Sequence, residues 1–558
     1  MRRVEVPVLI VGAGPVGMTA AILLARHGIA SLVVDRRPGP HRAPQAHVVN
    51  PRTLEIFRAM GVDAARLHAL ATPRADGSHV AWMTTLAGEE LGRLPYERQG
   101  DDALAWTPTP LLNLSQHRLE PLLLEHLRAH DRATLHYRHE WASLAQDPGG
   151  VTARIRDLER GDEYEVRSRW LLAADGAGSR VRQALGVEMV GPERLQSFIM
   201  IHFEADLRAI VRERPAILYW TLDPACSGAF VAHDIDRTWV FMHAHDPDTQ
   251  PAGTFTEDVC AGLVRRAIGP AEVDLAVRTV SPWTMTAQVA ARYREGRVFL
   301  VGDAAHRFPP SGGMGMNTGI QDVHNLAWKL RAVTEGWADA ALLDTYERER
   351  RPIAERNAEQ SFVNAMRILE MAADLGITEA TPAARAAFHA TLADPAGRER
   401  IARGIASQQD HFDMLGLQLG LGYESGALVP DGSAPPAPSN PVREYVPTTR
   451  PGARLPHAWV ERAGRRCSTL DLVAGDCCTL VAAPGAAAWV DDATRRASIP
   501  MRCVVEGRDF ADPEGHWRRV RGVGDEGALL VRPDQHIAWR AACVPASLAG
   551  AERAIAGR

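Results

Sequence analysis

Three glycines in "VLIVGAGPVG", Gly12, Gly14 and Gly17, stand in the spacing G-x-G-x-x-G after an apolar run, and Asp35 closes the next apolar run, "IASLVVD". That arrangement suits a dinucleotide. Gly12 allows a tight turn, Gly14 lets a pyrophosphate approach the backbone, Gly17 permits close helix–strand packing, and Asp35, followed by Arg36, accepts hydrogen bonds from a ribose. A second glycine-rich stretch, "VGDAAHRFPPSGGMGMN" at 301–317, carries Asp303 and interrupts regular structure between a strand-like run, "GRVFLVG", and a helical one, "TGIQDVHNLAWKLRAV". Six of its 17 residues are Gly or Pro, a composition expected where the backbone itself approaches a ligand.

The rest of the inventory narrows the chemistry. The chain holds a single lysine, Lys329, among 63 basic residues; a GxxxxGK[ST] loop is absent, and Lys329, set among helical residues, reads as a surface or interface residue. Seven cysteines occur without CxxC or zinc spacing and read as reduced, mostly buried thiols. A net charge of −5 with 46% hydrophobic residues points away from nucleic acid and from anionic membranes, leaving a small molecule as partner. The amino-terminal apolar run is too short for a signal peptide or a membrane span, so a cytoplasmic protein is expected.

A strand, a helix "PVGMTAAILLARHG" ended at Gly28, and a second strand form a βαβ unit over the first 60 residues. An amphipathic helix is expected at 114–130, then a β-meander closing in "DEYEVRSRWLLAADG", a mainly β layer over 187–285, and helices at 318–372. The Pro/Ser-rich stretch 431–452 reads as a linker before a carboxy-terminal domain.

With "LLAADGAGSRVR" (Asp175, Gly176, Ser179 and Arg182) between them, these two glycine-rich stretches follow the order and spacing of the single-component FAD-dependent aromatic hydroxylases, and the chain resembles that family over nearly its whole length. The resemblance implies an α/β (α+β) fold. A discontinuous Rossmann-like FAD-binding domain (1–80, 112–186 and 286–372) is interleaved with a β-sheet substrate domain (81–111 and 187–285). A helical extension (373–430), the linker and a thioredoxin-like domain lacking CxxC (453–558) follow. Asp303 would bind the ribityl chain of FAD; the backbone from Pro309 through Asn317, with Pro310, Gly313, Gly315 and Met316, would lie along the flavin ring. A helix amino terminus at Thr318 would favour negative charge on reduced flavin. Gln45 and Gln116 match flavin-contacting positions. His47 matches a position that meets the substrate hydroxyl, where a histidine suits proton abstraction near neutral pH. His306 and the run "DTYERERRP" at 344–352 read as structural.

The chemistry so implied is hydroxylation of a phenol, ortho to its hydroxyl, with NADH or NADPH as transient co-substrate and O2 adding to reduced flavin to give a C4a-hydroperoxide. Oxygenation of a polycyclic polyketide or a carbonyl compound, including Baeyer–Villiger insertion, uses the same three motifs, and a flavin-free NAD-dependent dehydrogenase is a further alternative. A homodimer is compatible with all of these. In the β layer, Tyr219, Trp220, His233, His243 and His245 are candidates without an assigned role.

Overall fold

The computed structural model describes residues 2–377, 380–545 and 547–558. Its amino-terminal sheet is centred on five parallel strands in the order Val298–Leu300, Glu163–Ala173, Arg3–Val11, Ser31–Asp35 and Ala133–Tyr137. Val8, Leu9 and Ile10 are fully buried, as a parallel strand covered on both faces requires. Between the first two strands in sequence runs the helix Pro15–Arg26. The meander is present as His139–Asp147, Gly150–Asp157 and Glu163–Ala173, paired antiparallel, and its last strand continues into the parallel sheet.

The second sheet has seven strands, in the order Ala276–Met285, Gln196–Glu204, Thr238–His245, Gly228–Asp234, Leu218–Thr221, His79–Met83 and Glu90–Pro95. The strand Gln196–Glu204 alternates strictly. Along Gln196–Glu204, Ile199, Ile201 and Phe203 are buried with Phe230, Trp239 and Phe241 in one core, while Met200 and His202 face the opposite way into a cavity. That core is closed by a helix, Glu257–Ile268, whose buried stripe Cys260, Leu263, Val264, Ala267 and Ile268 follows helical spacing; the mainly-β expectation had missed it.

Two long helices, Met314–Thr334 and Thr345–Asp374, return the chain to the first sheet. The first begins four residues before the expected Thr318. Gly313 adopts the left-handed conformation (φ +62°) that starts it, so Thr318 already lies inside, its hydroxyl donating to the Met314 carbonyl at 2.8 Å. Helices Pro382–Ala393 and Pro395–Ala406 form the extension. Residues 431–452 contain no helix or strand, yet they are packed down: the buried Thr449 hydroxyl donates to the Arg521 carbonyl at 2.9 Å. The carboxy-terminal sheet pairs Cys478–Ala482 parallel to Met501–Val505 across the helix Ala487–Arg496, then adds Ala528–Val531 and Ile537–Ala541 antiparallel.

Lys329 is not on the surface. It is fully buried, 2.7 Å from Glu349 and 2.8 Å from Asn325 Oδ1, and Glu349 also receives both Arg532 terminal nitrogens at 2.7 and 2.8 Å. The reason is tertiary: the carboxy-terminal unit covers the far side of the helix Met314–Thr334, which is buried nearly all round. All seven cysteines are free thiols; Cys226, Cys260 and Cys478 are buried, while Cys543 is exposed. Among the described residues no helix is long and apolar enough to cross a membrane.

Candidate active site

A cavity of ≈ 990 Å³ runs from Asp35 past the 301–316 loop to the inner face of the seven-stranded sheet. The glycines at its first end do different work. A Cβ on Gly12 (φ +106°) would lie 2.2 Å from the Ala174 carbonyl, and one on Gly17 would lie 1.9 Å from that of Gly12, so both are required by packing. A Cβ on Gly14 would meet nothing within 4 Å, because Gly14 lines the cavity. The helix starting at Pro15 has no side-chain cap, leaving its first-turn N–H groups free for an anion.

Asp35 ends its strand with a carboxylate that accepts from Ala13 N at 2.7 Å, Arg37 N at 2.8 Å and Arg37 Nη2 at 2.9 Å. Burial opposes its charge, but the Arg37 guanidinium outweighs burial and holds the group below the usual carboxylate range. Arg37, half-buried beside the cavity, is the basic partner there that the sequence reading missed; the neighbouring Arg36 is exposed on the same wall.

Asp175 accepts from the Ser179 hydroxyl at 2.6 Å and Val181 N at 3.1 Å, which fixes the turn into the helix Arg180–Ala184 at the cavity edge. Asp303 differs. It takes no hydrogen bond from any described residue, it lines the cavity, and desolvation pushes its carboxyl upward. An unpartnered carboxylate there fits a polyhydroxyl chain that supplies donors.

The loop that follows is shaped by contacts behind it. A Cβ on Gly312 or Gly313 would lie 2.5 Å from Met414 Sδ or from Val48, whereas one on Gly315 would have only Asp303, at 3.8 Å. Pro310, Gly313, Gly315 and Met316 line the cavity. Asn317 lies behind it, donating to the Val48 and Gly313 carbonyls at 2.9 and 2.6 Å and accepting from Asn50 N at 3.0 Å; it ties the loop to the strand Val48–Val49. Gln116 lines the cavity and donates to Glu120 at 2.7 Å; Gln45 is exposed at its rim. His306 is fully buried, 2.8 Å from Asp322, which also receives Arg350 at 2.9 Å.

At the other end His47 lies edge-on to His233, with ring centroids 5.6 Å apart, and is flanked by Tyr96 at 6.2 Å. Its Nδ1 is 3.2 Å from Asn113 Oδ1. Burial pushes its pKa to about 4 against the opposing effect of Asn113, so the ring is neutral at neutral pH, the form that accepts a proton. Strand parity sorts the other candidates. Trp220 and His233 face the cavity, whereas Tyr219 points into the opposite core and the His243 and His245 Nδ1 atoms meet the Ser227 and Gln250 carbonyls at 3.1 and 3.0 Å. The reading also missed Met200, His202 and Tyr96, and Phe412 from the helical extension. Alternation against the buried Ile199, Ile201 and Phe203 was the available signal for the first two.

A Rossmann-type phosphate turn, a free acid over a glycine loop and an aromatic, histidine-lined recess in one cavity define a flavin-dependent enzyme acting on an aromatic molecule. Residues 5–361 match the FAD binding domain family, and residues 448–558 match the carboxy-terminal domain of aromatic-ring hydroxylases. The chain is 35% identical to 2,4-dichlorophenol 6-monooxygenase of Cupriavidus pinatubonensis, covering 100% of this chain and 97% of that one. It is 34% identical to tetracenomycin A2 monooxygenase-dioxygenase of Streptomyces glaucescens, covering 99% and 96%. The crystal structure of the flavin-dependent monooxygenase PieE in complex with FAD and substrate superposes with a TM-score of 0.91 at 38% identity, covering 100% of this chain and 99% of that one. The protein belongs to the FAD-dependent aromatic-ring hydroxylases. It is an FAD monooxygenase using O2 on a small aromatic substrate, which sets aside the flavin-free dehydrogenase.

Proposed function

We propose that the substrate is a phenol, hydroxylated ortho to its hydroxyl with NADH or NADPH as reductant. The observation that carries this reading is the continuity of the cavity from the unpartnered Asp303 carboxylate to the neutral His47 imidazole. FAD, when bound, supplies hydride acceptance and oxygen activation. Gly14 and the free N–H groups of the first helical turn that follows Pro15 would hold its pyrophosphate, Asp35 with Arg37 its adenosine ribose, Asp303 its ribityl chain, and the backbone of 309–316 its ring. His47 accepts the substrate hydroxyl. The apolar sheet face, with Leu218, Val231, Val240 and Met242, excludes water from the reacting carbon.

A polycyclic phenol is the second reading. It is favoured by the breadth of that face, to which five strands contribute, and by the likeness to a tetracenomycin oxygenase. The carboxy-terminal unit, with a parallel pair around a helix followed by an antiparallel pair, is taken as thioredoxin-like, and without CxxC its role is structural.

The test is NAD(P)H-dependent oxygen uptake by the yellow holoenzyme over monocyclic and polycyclic phenols, scoring hydroxylated product against hydrogen peroxide. A catechol from a monocyclic phenol supports the first reading, product only from polycyclic phenols the second. Peroxide alone with every phenol refutes both and brings carbonyl substrates forward.

A further inference from the structure

The ring nitrogens of His47 are distinguished by Asn113. This buried residue pairs through its backbone with Val48 in a two-stranded ladder, so its side chain has little freedom. Its Nδ2 donates to the Gly77 carbonyl at 3.3 Å, and a carbonyl only accepts. The amide oxygen is therefore the atom presented to His47 Nδ1 at 3.2 Å, and it too only accepts. In a neutral ring, Nδ1 must then carry the proton and Nε2 the lone pair. Among the described residues Nε2 has no partner, it is not enclosed by them, and His47 lines the cavity.

We infer that Asn113 is a positioning residue that fixes the Nδ1–H tautomer of His47, making Nε2 an obligatory acceptor that selects a substrate with a free hydroxyl over its methyl ether. This deepens the phenolic reading above and rests on it. The neighbouring rings agree with such a role. His233 meets His47 edge-on and Tyr96 flanks it, so the imidazole is held between two rings while its one open nitrogen remains for substrate. A phenol supplies the matching O–H donor; an anisole leaves Nε2 buried and unpaired, which costs roughly tenfold in affinity.

The test titrates the FAD holoenzyme with phenol and with anisole, following the flavin absorbance, for the wild type, Asn113→Leu, His47→Ala and the double variant. The expected result is a phenol-over-anisole preference of roughly tenfold that falls to about twofold in Asn113→Leu. In the His47→Ala background the Asn113 substitution should leave the remaining preference unchanged, because its effect passes through the ring. An Asn113→Leu enzyme that keeps the preference, or loses it equally with and without His47, overturns the inference while leaving the phenolic reading intact. A wild type that binds phenol no better than anisole overturns the inference at its premise. Should Asn113→Leu fail to fold, 15N-histidine NMR of the wild-type holoenzyme decides, with His47 assigned by its loss in His47→Gln. A pyrrole-type Nδ1 with a pyridine-type Nε2 is expected, and the reverse pattern refutes the inference.

Discussion

Replacing Glu349 by Gln should destabilise the protein without touching the cavity. Glu349 is buried and receives Lys329 at 2.7 Å, Arg532 at 2.7 and 2.8 Å, Asn325 at 2.6 Å and the Ala427 amide at 2.8 Å. Burial alone would raise its pKa, but Arg532 and Lys329 outweigh burial and lower it from 4.5 to about 2. At ~1.4 kcal/mol per unit, that difference corresponds to about 3 kcal/mol of stability. Because the folded pKa is depressed, this contribution is present above about pH 4.5 and is lost as pH falls through about 2. Gln keeps the volume but leaves two buried cations with one fewer negative charge, for which 3 to 5 kcal/mol is the usual order. The linkage figure and the substitution figure therefore agree in size. Urea unfolding at pH 7, followed by tryptophan fluorescence with FAD in excess, should show the loss, and Lys329→Met, which leaves Arg532 on Glu349, should cost clearly less. A Glu349→Gln midpoint within ~0.5 kcal/mol of wild type would refute the reasoning.

Other expectations follow from the same geometry. Asp303→Ala, which removes the unpartnered carboxylate, should weaken FAD binding roughly 10- to 100-fold in a flavin-fluorescence titration of the apoprotein, with little change in apoprotein melting. Gly14→Ala and Gly17→Ala should separate: the first folds normally as apoprotein but loses FAD, because its Cβ enters the cavity. The second lowers the melting temperature of the apoprotein itself, because its Cβ meets the Gly12 carbonyl; equal melting temperatures would contradict the packing argument. Glu97, whose carboxylate accepts from Met414 N and Gln418 Nε2, both at 3.1 Å, has its pKa pushed by burial to about 8. A raised folded pKa gives stability that is full below about pH 4.5 and is lost as pH rises through about 8. Glu97→Gln should accordingly gain on wild type as pH rises from 5 to 8, by on the order of 3 kcal/mol; a pH-independent difference between the two would refute the burial argument.

The sequence by itself determined the turn at the first end of the cavity. The tight turn at Gly12, the close packing of Gly17 upon it and the strand-end position of Asp35 follow from local turn and strand geometry, and local geometry is written in neighbouring residues. The glycine loop with Asp303 was legible as a break in regular structure, whereas its shape comes from tertiary contacts with Met414 and Val48. Only the tertiary structure decided the substrate end. Which of Tyr219 and Trp220 faces the cavity depends on strand register, and the partners of His47 come from Asn113, 66 residues away, from His233 on the second sheet and from Tyr96 just past its edge strand. The burial of Lys329 depends on a domain that begins more than a hundred residues later. The titration of His47 followed the same rule: the sequence supplies an imidazole with an ordinary pKa, and the low polarity of an assembled wall lowers it to about 4.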